Sequence, residues 1–311
     1  MVGKLLVLLG ATATGKTALA LRLAQALDGE IIGADSRQIY RHMPVGTAQP
    51  TPEQLALVPH HLIGFVDPAH SLALAEYQDL ALRAIADIST RGKLPILVGG
   101  TGQYITAIVE GWAIPRIPPN PALRAELEAY AQAEGTQALY ARLATLDPEY
   151  ASKTHPNNVR RVVRALEVCL ESGATMTELQ RKTPPPYDIR TLGVFLPREQ
   201  LYPRADARVD AMMRDGFLQE VQSLLAMGYN RHLPSMSGLG YAELCTHLLD
   251  SLPLETALER TKFNTHDFIR RQDVWFRGHD NGILWHNSED LGQDSPQEAL
   301  LMRALAQWRK E

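Results

Sequence analysis

Apolar residues follow two rhythms along this chain. Over the first hundred residues, short apolar runs alternate with longer amphipathic stretches. Lys4-Leu5-Leu6-Val7-Leu8-Leu9, Glu30-Ile31-Ile32-Gly33-Ala34 and Lys93-Leu94-Pro95-Ile96-Leu97-Val98 have the length and composition of strands buried on both faces. Good helix formers run from Lys16 to the turn signal Asp28-Gly29. Residues 71–90 set Leu72, Leu74, Tyr77, Leu80, Leu82, Ile85 and Ile88 at helical spacing. Strands alternating with helices predict an α/β fold, a doubly wound parallel sheet with helices on both faces.

The second rhythm begins at Pro115, Pro118, Pro119 and Pro121. From there to about residue 182 the pattern is helical only, and Pro184-Pro185-Pro186 closes it. Arg190-Thr191-Leu192-Gly193-Val194-Phe195-Leu196 then reads as a returning strand, followed by helical stretches to the end. The expected organisation is a core of residues 1–114 and 187–311, interrupted by a helical insertion at 115–186. Within the insertion, Asn158 is the predicted N-cap of a helix. Val159, Val162, Val163, Leu166, Cys169 and Leu170 share its apolar face, and Arg160, Arg161 and Arg164 lie opposite.

Composition changes this picture little. The 311 residues carry 31 Lys and Arg against 35 Asp and Glu, so the chain as a whole does not announce a nucleic-acid binder. Residues 151–210 are locally basic, with ten Lys and Arg against seven Asp and Glu, which points to an acidic partner there. No apolar run is long enough to span a bilayer, and a strand at the very start argues against a signal peptide. Cys169 and Cys245 lack metal-ligand spacing and are expected to be buried thiols of a cytoplasmic protein.

The chemistry starts between the first strand and helix. Gly10-Ala11-Thr12-Ala13-Thr14-Gly15-Lys16-Thr17 is G-x-x-x-x-G-K-[ST], a phosphate-cradling loop at the positive end of a helix. Lys16 is placed to reach an outer phosphate and Thr17 to ligate Mg²⁺. This makes the expected fold P-loop NTPase-like. Ligands of such sheets bind beyond the carboxyl ends of the strands. The next two strand ends there carry Asp35-Ser36-Arg37-Gln38-Ile39-Tyr40 and Gly99-Gly100-Thr101-Gly102-Gln103-Tyr104. Asp35 can act as a general base or metal ligand, or as an N-cap, and Thr101 as a reactive-site hydroxyl or a turn residue. An NTPase also needs an acid at a strand end to hold its metal. Leu62-Ile63-Gly64-Phe65-Val66-Asp67 is a weak strand followed by Pro68. ATP hydrolysis is therefore poorly supported, and the phosphates are expected to belong to a leaving group.

With these motifs stand Gly46-Thr47-Ala48-Gln49-Pro50, Pro59-His60-His61-Leu62, Arg164-Ala165-Leu166-Glu167-Val168 and Arg271-Gln272. Together and in this order they resemble the bacterial tRNA dimethylallyltransferases. The resemblance implies transfer of a dimethylallyl group from dimethylallyl diphosphate to N6 of adenosine 37, in the anticodon stem-loop of tRNA. It implies a monomeric enzyme using Mg²⁺. By the same resemblance, Asp35 is the base, Thr101 lies near the reacting carbon, and Arg208 neutralises diphosphate. Asp35, Ser36, Arg37, Gln38 and Thr101 meet the flipped base, and Arg124, Arg160, Arg161, Val162, Val163 and Arg164 touch tRNA. Asn158, Ser237 and Asn264-Thr265-His266-Asp267 depart from the family pattern. The competing readings are an adenylate isopentenyltransferase, a P-loop small-molecule kinase and a non-catalytic nucleotide-binding module.

Overall fold

The computed structural model describes residues 3–280 and 282–311. Among them, six strands form one parallel sheet: β1 (Gly3–Leu9), β2 (Gly29–Gly33), β3 (His60–His61), β4 (Leu94–Gly99), β5 (Tyr187–Phe195) and β6 (Leu284–Asn287). Their order is β3-β2-β4-β1-β5-β6, so β1 is central, between β4 and β5. Alternation along β1 divides the core. Leu6 and Leu8 pack with residues of α1 (Lys16–Ala26). Leu5, Val7 and Leu9 pack on the other face with Tyr77, Ala81, Ile85 and Ile88 of α3 (Leu74–Thr90). Both faces are buried, which is why β1 reads as continuous apolar sequence. A short α2 (Pro52–Leu57) precedes β3, and α4 (Gly102–Val109) leaves the end of β4.

The chain divides into two compact units, Met1–Val109 with Pro186–Glu311, and Glu110–Pro185. The second contains α5 (Pro121–Glu134), α6 (Thr136–Leu146), α7 (Pro148–Ser152), α8 (Val159–Ser172) and α9 (Met176–Leu179). Its entry and exit strands are zipped by a Trp112–Lys182 bridge and by bonds from Ala113 N to Arg181 O and from Thr183 N to Gly111 O. The Asn158 side chain accepts from Arg161 N and caps α8, as its position predicts. Leu170 departs from the predicted apolar face at 55 % exposure, and Cys169 is only half-buried, whereas Cys245 is buried. The inner face of α8 is narrower than its pattern of apolar residues suggests.

After β5 the first unit continues with α10 (Arg198–Arg214), α11 (Phe217–Ala226), α12 (Tyr241–Asp250), α13 (Leu254–Gly278) and, beyond β6, α14 (Pro296–Lys310). Two strand expectations change. The run Leu62–Asp67 forms no strand, and only Val66 makes an isolated bridge, to Tyr40. In the stretch expected to be helical, Leu284–Asn287 instead pairs with Leu192–Phe195. The Trp285 ring lies over Gly193, where a Cβ would come within 2.4 Å of it. An aromatic side chain covering a bare backbone position is a tertiary reason for a strand only four residues long. Among the described residues no helix is long and apolar enough to cross a membrane.

Candidate active site

The phosphate loop is built by close backbone approach. Gly10 has φ +150°, and a Cβ there would lie 2.2 Å from Val194 O of the neighbouring strand. Only glycine lets the chain leave β1 at that angle. Thr14 is buried and donates through Oγ1 to Ala11 O at 2.9 Å. Lys16 Nζ donates to the same carbonyl. The loop is thus held by its own side chains. Thr17 lies in the first turn of α1 and is exposed.

Two further groups converge on the loop. Lys16 and Asp35 are close enough to interact electrostatically, and Arg208, on α10, interacts with both. Burial, reinforced by Arg208 and partly opposed by Asp35, pushes the Lys16 ammonium down to about 7. Burial also lowers the Arg208 pKa; Asp35 opposes this and Arg204 adds to it. Cations pressed together in a poorly solvated corner make a site that favours an anion. Binding inorganic diphosphate above pH 7 is therefore expected to take up a proton at Lys16, and affinity is expected to fall as pH rises through 7. Calorimetry in two buffers of different ionisation heat, wild type against Lys16→Met, checks this. Equal proton uptake by the two proteins would remove Lys16 as its source.

The Asp35–Gln38 turn packs against the tip of β4. Asp35 Oδ1 accepts from Arg37 N at 2.8 Å. This is an Asx turn rather than the N-cap alternative, since no helix follows. Thr101 Oγ1 accepts from Ser36 N at 2.9 Å and donates to Ser36 Oγ at 3.2 Å. Arg37 donates to Pro234 O at 2.6 Å and reaches Ser237 Oγ, so one departure from the family pattern has a partner of its own. Gln38 Nε2 donates to Thr47 O and Ala48 O, which ties its amide to the loop before α2.

These elements border one cavity of about 300 Å³ within the first unit. Thr12 and Ala13, Asp35 and Arg37, and Arg208 line its polar part. Val209, Met212, Phe217, Leu239, Tyr241 and Phe268 form an apolar wall. A site with a cationic corner, one carboxylate and an apolar wall can hold an anion beside an apolar group while limiting access of water.

Two residues with no role assigned from sequence shape this site. Glu220 accepts from Val45 N at 2.7 Å, Gly46 N at 3.0 Å and Tyr241 Oη at 2.6 Å. It fixes the loop that carries Gly46 and Thr47 into the cavity, and burial and Glu220 raise the Tyr241 pKa well above 10. On an ordinary amphipathic helix, Glu220 gives no local signal. Gln272, buried on α13, spans from the phosphate loop to the end of β4.

The arginines assigned to tRNA belong to the helical unit. Arg124 Nε and Nη2 each donate at 2.8 Å to Glu167, whose side chain is fully buried. Arg164 donates to the same carboxylate and to Ile117 O. Burial would raise the Glu167 pKa, but bonds from Arg124, Asn120 N and Arg164 hold it at about 2. Val162 and Val163, expected to touch tRNA, are 0 % and 3 % exposed in the core of this unit. Their side chains are spent on packing, which leaves only their backbone for a contact with RNA. Arg160 and Arg161 face solvent, with Arg161 also bonded to Tyr150 Oη.

For Mg²⁺, the residues present fit an ion held mainly by ligand phosphates. No group of three His, Cys, Asp or Glu capable of holding a metal occurs among the described residues. The exposed Thr17 and the carboxylate of Asp35 are the sparse oxygen donors that such an ion uses beside phosphates.

Comparison with known proteins agrees with this architecture. The family described as IPP transferase matches residues 38–279, and that described as isopentenyl transferase matches 3–60. A tRNA dimethylallyltransferase of Chloroflexus aggregans is 54 % identical over 282 residues, 91 % of this chain and 95 % of the relative. One from Roseiflexus castenholzii is 52 % identical over 302 residues, 97 % and 96 % of the two chains. The crystal structure of a full-length tRNA isopentenylpyrophosphate transferase from Bacillus halodurans superposes with TM-score 0.73 at 37 % identity, covering 99 % of this chain and 97 % of that one. A eukaryotic dimethylallyltransferase acting on tRNA superposes with TM-score 0.81 at 28 % identity, covering 96 % and 78 %.

Proposed function

We propose, for a chain that belongs to the IPP transferase family, the transfer of a dimethylallyl group from dimethylallyl diphosphate to N6 of adenosine 37 in the anticodon stem-loop of tRNA. The observation that carries this reading is the single cavity in which phosphate loop, Arg208 and Asp35 meet an apolar wall. The loop N–H groups and Lys16 hold the diphosphate, and Arg208 balances its charge. Thr17 and the diphosphate oxygens would hold Mg²⁺, which would supply further charge stabilisation to the leaving group. The N6 lone pair attacks C1 of the allyl group as the C1–O bond breaks, and diphosphate leaves with the bonding pair. N6 is a poor nucleophile because its lone pair is delocalised into the ring, so its proton must be removed. Asp35, with Oδ1 engaged by Arg37 N, has a second oxygen to accept that proton. Thr101, fixed by Ser36, lies on the acceptor side. The adenine has to leave the anticodon stack to enter such a pocket. Arg160 and Arg161 supply solvent-facing charge for the RNA backbone. The enzyme works as a monomer in the cytoplasm.

The test is direct. Incubation with dimethylallyl diphosphate, Mg²⁺ and unmodified tRNA, then nucleoside mass analysis, is expected to show a gain of C₅H₈ on one adenosine. Prenylation of free AMP in preference to tRNA would favour an adenylate isopentenyltransferase, and ATP turnover without tRNA would favour a kinase.

A further inference from the structure

We propose that Gln272 is a positioning residue that sets the donor-holding loop and the acceptor-side residues in register. Its Oε1 accepts from Thr12 N in the phosphate loop at 2.9 Å, and its Nε2 donates to Gly100 O at 2.8 Å. Gly100 directly precedes Thr101, whose Oγ1 accepts from Ser36 N next to Asp35. One side chain thus closes a path from the phosphate loop through Gly100 and Thr101 to the turn that carries the base. The bridge is buried, with Gln272 6 % exposed. The fold also makes room for it: a Cβ on Gly100 would lie 2.4 Å from Nε2. One turn further along α13, the Trp275 ring lies where a Cβ on Gly102 would come within 2.1 Å, and its Nε1 donates to Thr106 Oγ1. Helix α13 therefore grips the exit of β4 twice, and at Gln272 the same side chain also bonds the phosphate loop.

The chemistry requires this amide. The end facing Thr12 N must accept and the end facing Gly100 O must donate. Glutamate reverses the second polarity and sets two acceptors against each other; methionine keeps the length and loses both bonds. Small misplacement of reacting groups is costly to turnover.

The inference rests on the prenyl-transfer reading, so its test has one arm with turnover and one without. In folded protein, Gln272→Met and Gln272→Glu are expected to lower kcat by at least about 10-fold with donor KM within about threefold. In a Thr101→Ala background the same changes are expected to cost less than about threefold, because residues acting as one unit are not additive. Unchanged kcat in the folded variants, or full additivity with Thr101→Ala, would overturn the role. The second arm uses inorganic diphosphate and backbone amide NMR. In wild type, signals of Thr12, Gly100 and Thr101 are expected to move together; in Gln272→Met only Thr12 should respond. A response that still reaches Gly100 and Thr101 in the variant refutes the bridge. This arm gives its answer whether or not the wild type prenylates tRNA, whereas a wild type inactive in the first arm counts against the activity reading instead.

Discussion

Asp35→Asn is expected to lower prenyl-transfer turnover by at least about 100-fold, the scale of a lost general base. The substitution is a sharp one because of local geometry. Asp35 Oδ1 accepts from Arg37 N, and an asparagine oxygen can keep that bond, so the turn survives while the basicity does not. Thermal stability should stay close to wild type, whereas Asp35→Ala removes the turn bond as well. A second consequence follows from the charges. Asp35 supports the protonated form of Lys16, so its neutralisation lets Lys16 lose its proton at a lower pH than in wild type. Single-turnover rates with saturating donor and tRNA separate the proton-transfer loss from any change in donor binding. Turnover within a few-fold of wild type would remove Asp35 as the base and leave it a structural turn residue.

The second large effect is on stability. Arg124→Ala is expected to destabilise the helical unit by about 2–3 kcal/mol, below the ~3–5 kcal/mol for breaking a buried ion pair, because the Arg124 side chain is itself 37 % exposed and Arg164 remains. The paired carboxylate is fully buried and loses two of its hydrogen bonds. The sign of the pH dependence is fixed by the depressed Glu167 pKa. The contribution of Glu167 is fully present above about pH 4.5 and is lost as pH falls toward 2. Arg160→Ala should do the opposite experiment. Arg160 is exposed, so stability should not change, tRNA affinity should fall, and the salt slope should flatten by about 1. Denaturant unfolding and binding at several salt concentrations check both variants. If Arg124→Ala left stability intact and weakened only tRNA binding, the arginine would belong to the RNA surface rather than to the Glu167 cluster.

Arg124 and Arg160 differ through their tertiary surroundings, not through their local sequence. The periodicity of α8 separates apolar from basic residues and sets Arg164 beside Glu167, but it carries nothing of what another helix brings to that face. Arg160, Arg161 and Arg164 look alike along the chain. Arg164 meets Glu167 within α8, three residues on, and packing against α5 is what brings Arg124 to the same carboxylate. Val162 and Val163 differ in the other direction: the resemblance places them at RNA, and their side chains fill the unit's own core.

The sequence by itself determined what is local. Unbroken apolar runs, apolar residues at helical spacing, a glycine-bounded loop before a helix, and a carboxylate at a strand end all act within a few residues of themselves. They were enough for the parallel sheet, the phosphate loop and the positions of Lys16 and Asp35. Tertiary structure decided what depends on partners far along the chain. Gln272 meets Thr12 across 260 residues, and Glu220 meets Val45 across 175. Strand β6 exists because its four residues find the open edge of β5. The physical reason is the same in each case. A buried amide, carboxylate or strand edge must find hydrogen-bond partners, and which partners it finds is settled only when the chain has packed.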